Sequence, residues 1–155
     1  MSKALSQFEV GEKFVSAPKI VTVSDIELFC SITRGNLSLF LRDDFAQSLG
    51  WERRLSPGAL NSAICTGLIE EAGLLDNVMA YLGVDKIRFT HPVYPGDSIT
   101  VYVELLSKRM TKAADRGLVT YKWEGKNQRD EIVVSGENVC MFKVPFPVAI
   151  ESARR

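Results

Sequence analysis

The chain predicts an α+β domain in which a curled antiparallel sheet wraps around one long central helix. Three observations carry that expectation. Helix signals fill the first half of the sequence and strand signals the second. One helical segment, ALNSAICTGLIEEA, is apolar or small on nearly every side, so something must surround it. The segments VMAYLG, KIRFTHPV, SITVYVELLS, GLVTYKWEGK and EIVVSGENVCMFKV are rich in Val, Ile, Tyr and Phe and can supply the surrounding strands.

The elements follow in order. Ser24-Asp25-Ile26-Glu27 has capping-box spacing, with Ser24 accepting from the third helical amide and Glu27 reaching back. The helix it starts puts Ile26, Phe29, Cys30 and Thr33 on one face and stops at Gly35. The stretch RGNLSLFLRD, residues 34–43, then reads as a tight, placed loop that is unusually greasy. Asp43 or Asp44 caps a short helix with Phe45 and Leu49 inward and Gly50 as its stop. Ser56-Pro57-Gly58 opens the central helix, with Ser56 at the N-cap and Pro57 at the first helical position. It runs to Gly73, with Leu60, Ala63, Ile64, Gly67 and Leu68 at helical spacing. In the second half, Val119, Tyr121 and Trp123 alternate with Thr120, Lys122 and Glu124, which predicts a strand with one wet face. Gly83 with Asp85, Pro95-Gly96-Asp97, Asp115-Arg116-Gly117 and Asn127 through Asp130 supply the turns. The tail after Pro147 is the one segment expected to be loose.

Composition narrows the function. A chain of 155 residues fits one domain over 1–155. A formal net charge of zero argues against nucleic-acid binding and leaves self-association unopposed by long-range repulsion. No apolar run reaches the length of a membrane span, and the N-terminus lacks a signal-peptide core, so a cytoplasmic location is expected. Cys30, Cys65 and Cys140 are widely spaced and read as small buried hydrophobes in a reducing compartment. With His91 the sole histidine and no Cys-x-x-Cys, no metal site is expected, and no cofactor is implied.

The order helix, glycine loop, short helix, buried helix and then RFTHPVYPGDSITVYVEL resembles the MaoC-like hotdog proteins, which include (R)-specific enoyl-CoA hydratases and 3-hydroxyacyl thioester dehydratases. The similarity spans roughly Phe8 to Phe142. It is most specific at Arg88, Phe89, Pro92, Val93, Gly96 and Asp97, and RGLVTYKWEGKNQ with IVVSGENVCMF fits the last strands. In that family the loop after the first helix reads Gly-Asp-x-Asn-Pro-x-His-x-Asp, with an alanine three residues later. Here Gly35, Asp43 and Ala46 fall in register. Asn36 stands at the catalytic aspartate position, Ser38 and Leu39 at the Asn-Pro, and Leu41 at the catalytic histidine.

The resemblance thus implies an active-site loop without its acid–base pair. Hydrating an enoyl thioester requires a base for water and an acid for the α-carbon, and losing such a group commonly removes about 10²–10⁴-fold in rate. Asn36 can only hydrogen-bond, and Leu41 can do neither. Gly58 matches the glycine whose amide polarises the thioester carbonyl in the family, and first-turn amides have no intrahelical acceptor in any case. Substrate binding is therefore expected at Gly58, Ser56, Asn36, Phe40 and Leu41. Fallback proton-transfer groups are His91, otherwise structural or on the surface, and Asp43, otherwise an N-cap. Ser56 lacks a neighbouring activating base, so capping is its expected role. Asp97 reads as a turn residue, and Lys86, Arg88, Arg109, Lys112 and Arg116 as surface cations or phosphate ligands.

The resulting expectation is an acyl-thioester binder, for acyl-CoA or an acyl carrier, with hydratase activity doubtful. The rivals are an active hydratase or dehydratase with relocated groups, and a hotdog thioesterase. The resemblance further implies a homodimer or higher homo-oligomer, or a heteromer with an active relative.

Overall fold

A computed structural model describes residues 7–113 and 115–144. The element order is β1 (Lys13–Val15), β2 (Lys19–Ile20), α1 (Val23–Thr33), α2 (Ser38–Leu41), α3 (Asp43–Ser48), α4 (Gly58–Glu71), β3 (Val78–Phe89), β4 (Ser98–Met110), β5 (Arg116–Lys126) and β6 (Ile132–Lys143). The strands make an antiparallel sheet in the order β1-β4-β5-β6-β3, with β2 also on β4. Leu60, Ile64, Cys65, Leu68 and Ile69 of α4 are buried in one core with Val101, Val103, Val119, Tyr121, Val134 and Phe142 of the sheet. This is the expected hotdog arrangement. The expectation of a loose tail beyond Pro147 lies outside the described residues.

Sheet alternation is as the sequence predicts for β5. Val119, Tyr121 and Trp123 are buried, whereas Lys122 is exposed. The inward face also holds a polar chain, from Trp123 Nε1 to Asn138 Oδ1 at 2.8 Å and from Asn138 Nδ2 to the Tyr121 hydroxyl at 3.0 Å. Asn138 is fully buried, so these bonds remove a desolvation cost that an unpaired carboxamide would carry. All three cysteines are free and buried.

Several boundaries differ from the sequence reading. The α1 capping box is formed by Thr22 and Asp25, not Ser24 and Glu27: Thr22 Oγ1 accepts from Asp25 N at 3.1 Å and Asp25 Oδ2 from Thr22 N at 2.9 Å. Both pairs have the right spacing. Tertiary bonds choose between them, because Val21 N donates to Asp97 O and Gly96 N to Val21 O, holding Val21 extended. The helix ends at Thr33, and Arg34 takes the left-handed turn before Gly35 is reached. Thr33 is exposed. The greasy loop contains the helical turn α2. Neither Asp43 nor Asp44 caps α3, where Arg42 is the N-cap. On α3 it is Ala46 that points inward, while Phe45 and Leu49 are exposed. Gly50, with φ 90, is the stop as expected.

Pro57 rather than Ser56 is the N-cap of α4, and Gly58 its first residue. The helix ends at Glu71, with Gly73 beyond it in a left-handed turn. Ala63 and Gly67 lie exposed, so within one protomer α4 is covered on one side and open on the other. VMAYLG and KIRFTHPV join into the single strand β3, and the turn expected at Gly83 and Asp85 is replaced by register shifts along it. Because β3 ends at Phe89, His91 leaves the sheet and does not belong to a strand. The short strands β1 and β2 were not anticipated from the sequence.

At Gly125 of β5 the sheet approaches α4 so closely that a side chain would not fit. A methyl group there would meet Cys65 Sγ at 2.6 Å and Val134 Cγ1 at 3.0 Å. Gly125→Ala should therefore destabilise the fold by about 1–3 kcal/mol through overpacking. The urea midpoint would fall at unchanged slope; an unchanged midpoint would contradict this α4–β5 contact.

Candidate functional site

The segment LSPGALN, residues 55–61, forms the centre of the candidate site. Pro57 adopts φ −55 and ψ 135, which starts the helix without a side-chain cap. The first intrahelical bond runs from Asn61 N to Pro57 O at 3.0 Å. The amides of Gly58, Ala59 and Leu60 consequently have no acceptor within the helix, and the aligned peptides give that end positive potential. Tertiary bonds hold the turn in place: Ser56 N donates to Val93 O at 2.8 Å, and Leu55 N to Leu39 O at 3.1 Å.

Gly58 and Ala59 of this turn line a cleft of about 450 Å³. Phe40, Trp51 and Phe89 give it apolar walls, Gly58 and Ala59 lie at the helix start, and Ser56, Asn61, Thr90 and His91 are its polar lining. A methyl group at Gly58 would sit 2.9 Å from two Phe89 ring carbons, so glycine is what lets that ring lie against the helix. The ring is 55% exposed and therefore covers the helix start from the solvent side.

Polar chemistry in the cleft is sparse. His91 Nδ1 lies 2.8 Å from Ile132 O, and the Thr90 hydroxyl donates to the same carbonyl. A carbonyl accepts only, so Nδ1 carries the proton and Nε2 is left as an acceptor in the neutral ring. No carboxylate lines the cleft among the described residues. Burial pushes the Cys65 thiol up to about 12 and Cys140 up to about 11, so neither is a thiolate at neutral pH.

Among the expected site residues, the structure brings Phe40, Ser56, Gly58 and His91 together on one cleft. It does not bring Asn36, Leu41 or Asp43 to that lining. Asn36 is exposed on the loop before α2, and Leu41 is half-buried against the main core. Asp43 accepts from Arg54 N at 3.0 Å and from Arg54 Nε at 3.1 Å, strapping α3 to the segment that leads into α4. Ser56, assigned to capping by its sequence context, instead donates its hydroxyl to Asn61 Oδ1 at 2.6 Å. Lys86 and Arg116 are paired with Glu137 and Asp115. Sequence reasoning missed Asn61, Trp51 and the covering role of Phe89. For Asn61 a signal existed, since a carboxamide interrupts the buried face Leu60, Ile64, Cys65, Leu68.

The family model described as a MaoC like domain matches residues 6–127. The chain is 33% identical over 129 residues to the β-methylmalyl-CoA dehydratase of Chloroflexus aurantiacus, a match covering 82% of this chain and 36% of the dehydratase. It thus spans about a third of that relative. A protein from Archaeoglobus described as a monoamine oxidase regulatory protein superposes with TM-score 0.85 at 28% identity, covering 92% of this chain and 95% of that one. An (R)-hydratase from A. caviae involved in PHA biosynthesis superposes with TM-score 0.72 at 25% identity, covering 86% and 96%.

The Arg54 amide and guanidinium hold the Asp43 carboxyl below its ordinary 3.8. With the folded value depressed, the strap contributes above the unfolded value and is lost as pH falls through the folded one. A carboxyl-carbon titration by NMR should place the Asp43 midpoint below 3.8 in the wild type. A midpoint at or above that value would show that the strap does not form.

Proposed function

Because this chain belongs to the MaoC-like domain family, we propose that it binds an acyl thioester, on coenzyme A or a carrier protein, with the carbonyl at the first turn of α4. The observation that carries this reading is the pair of Gly58 and Ala59 amides without helical acceptors, at residues that line an apolar-walled cleft. Amides so placed suit an oxygen that gains negative charge, and the surrounding phenyl and indole surfaces offer an acyl chain apolar contact. Asn36 and Leu41 occupy the family's proton-transfer positions, and the cleft-lining residues offer no carboxylate in exchange. Binding without efficient hydration follows.

A second protomer fits the same reading. Met79, Tyr81, Leu82 and Val84 are exposed on β3, the edge strand beside the open face of α4. Apolar side chains along an unpaired edge favour pairing with another sheet. A homodimer is the simplest such assembly, and a heteromer with a hotdog chain that retains the Asp and His is the alternative, in which this chain supplies the carbonyl site. A cytoplasmic location belongs to the same proposal.

One observation favours a second reading, hydration or dehydration by a relocated base. His91 is on the cleft, with Nδ1 fixed to Ile132 O and Nε2 free to take a proton. A thioesterase finds less support, because Glu70 and Glu71 lie at the far end of α4 from Gly58.

Crotonyl-CoA should raise the melting temperature, by an amount corresponding to about 2.7 kcal/mol at a ligand concentration 100 times Kd, with little loss of enoyl absorbance. Hydration that disappears in His91→Ala but persists in Asn36→Ala would establish the second reading. Thiol release from butyryl-CoA without hydration would establish the thioesterase. No thermal shift with either ligand would overturn binding altogether.

A further inference from the structure

One polar side chain on the cleft has no task in this scheme. Asn61 is only 4% exposed, yet it lines the cleft. It stands three residues after Gly58, about 4.5 Å further along the helix axis and on the same side. The Ser56 hydroxyl, itself 5% exposed, donates to Asn61 Oδ1 at 2.6 Å. That bond fixes which way the carboxamide faces: the oxygen is taken, and Nδ2 points away from Ser56 with two N–H donors. Among the described residues no acceptor meets Nδ2. No sealed side-chain nitrogen or oxygen among them lacks a partner either, so Nδ2 reaches the cleft rather than a closed void. Ser56 is anchored through its own amide to Val93 O, so the pair cannot easily turn aside.

A carboxamide this deeply buried, on a helix face otherwise built from Leu60, Ile64 and Cys65, is costly unless its donors find an oxygen. The cleft offers apolar walls and Nδ2 as an oriented donor one turn beyond the carbonyl site. A saturated aliphatic chain would bury against Nδ2 and strip it of water without replacing the bond. An acyl chain with an oxygen of its own would satisfy it. Sites built to hydrogen-bond a substrate oxygen discriminate strongly against analogues that lack it, because the buried donor is then left unpaired. We propose, resting on the acyl-thioester reading of the same cleft, that Asn61 is a specificity-determining residue: Ser56 orients it so that Nδ2 donates to a second oxygen on a short acyl chain, a keto, hydroxyl or carboxylate group beyond the thioester. Ser56 is then a positioning residue and makes no contact with the ligand.

Ligands of equal chain length test this. Affinities of the full chain for butyryl-CoA, acetoacetyl-CoA and succinyl-CoA are measured by titration calorimetry, for wild type, N61L and S56A. Leucine roughly conserves volume at a buried helical position, and melting curves check that both variants fold. At least one oxygenated ligand should bind wild type ten times or more tighter than butyryl-CoA. N61L should shrink that ratio below threefold, with the loss falling on the oxygenated ligand. S56A should shrink it partway, because the unanchored carboxamide can turn either face to the ligand. Butyryl-CoA binding as tightly as both others would overturn the assignment while leaving the thioester site standing, as would a ratio that survives in both variants. Failure of wild type to bind any of the three would remove the thioester site itself, and this assignment with it.

Discussion

The turn that leads into α4 is clamped between two segments distant in sequence, and the rest of the site depends on that clamp. Leu55 is bonded to the α2 turn and Ser56 to Val93, just after β3. Pro57 forbids an amide where a capping bond would otherwise form, and its φ of −55 sends the next residue directly into helix. The result is a helix start that is fixed in space but incompletely hydrogen-bonded. Free helix ends are ordinarily satisfied by water. Here the cleft beside the helix start is walled by Phe40, Trp51 and Phe89, which offer those donors no hydrogen-bond partner of their own.

The loop from Arg34 to Asp43 keeps its shape through packing and an ion pair. Leu41 and Phe40 pack on the core, and Asp43 is held by Arg54. Apolar contact seats the middle of the loop and the Asp43–Arg54 bonds fix its end, so the greasy composition that looks misplaced in a loop is what holds it in place.

The architecture was legible in the sequence because it rests on period and length. The two-residue alternation of β5 and the all-round smallness of α4 each needed only local reading. The misreadings arose where two local solutions had equal merit and a distant bond decided. Thr22 with Asp25 and Ser24 with Glu27 both have capping-box spacing, and the Val21–Asp97 and Gly96–Val21 bonds select the first. The merging of two candidate strands into β3 is of the same kind: Gly83 and Asp85 suggest a turn, but pairing with β6 carries the chain through them. In the site, the helix start at Ser56-Pro57-Gly58 was legible from its turn chemistry. The ring of Phe89 over Gly58 and the bond from Ser56 to Asn61 were not, since both are products of the tertiary packing of the β3 end and α4.

Thr90 and His91 share the Ile132 carbonyl, so the chain leaving β3 is pinned to the first residue of β6. The imidazole is held by one ring nitrogen, and the direction of the other is thereby set. A polar group drawn toward that rim would meet a partner already in place, and the surrounding walls would not have to rearrange to receive it.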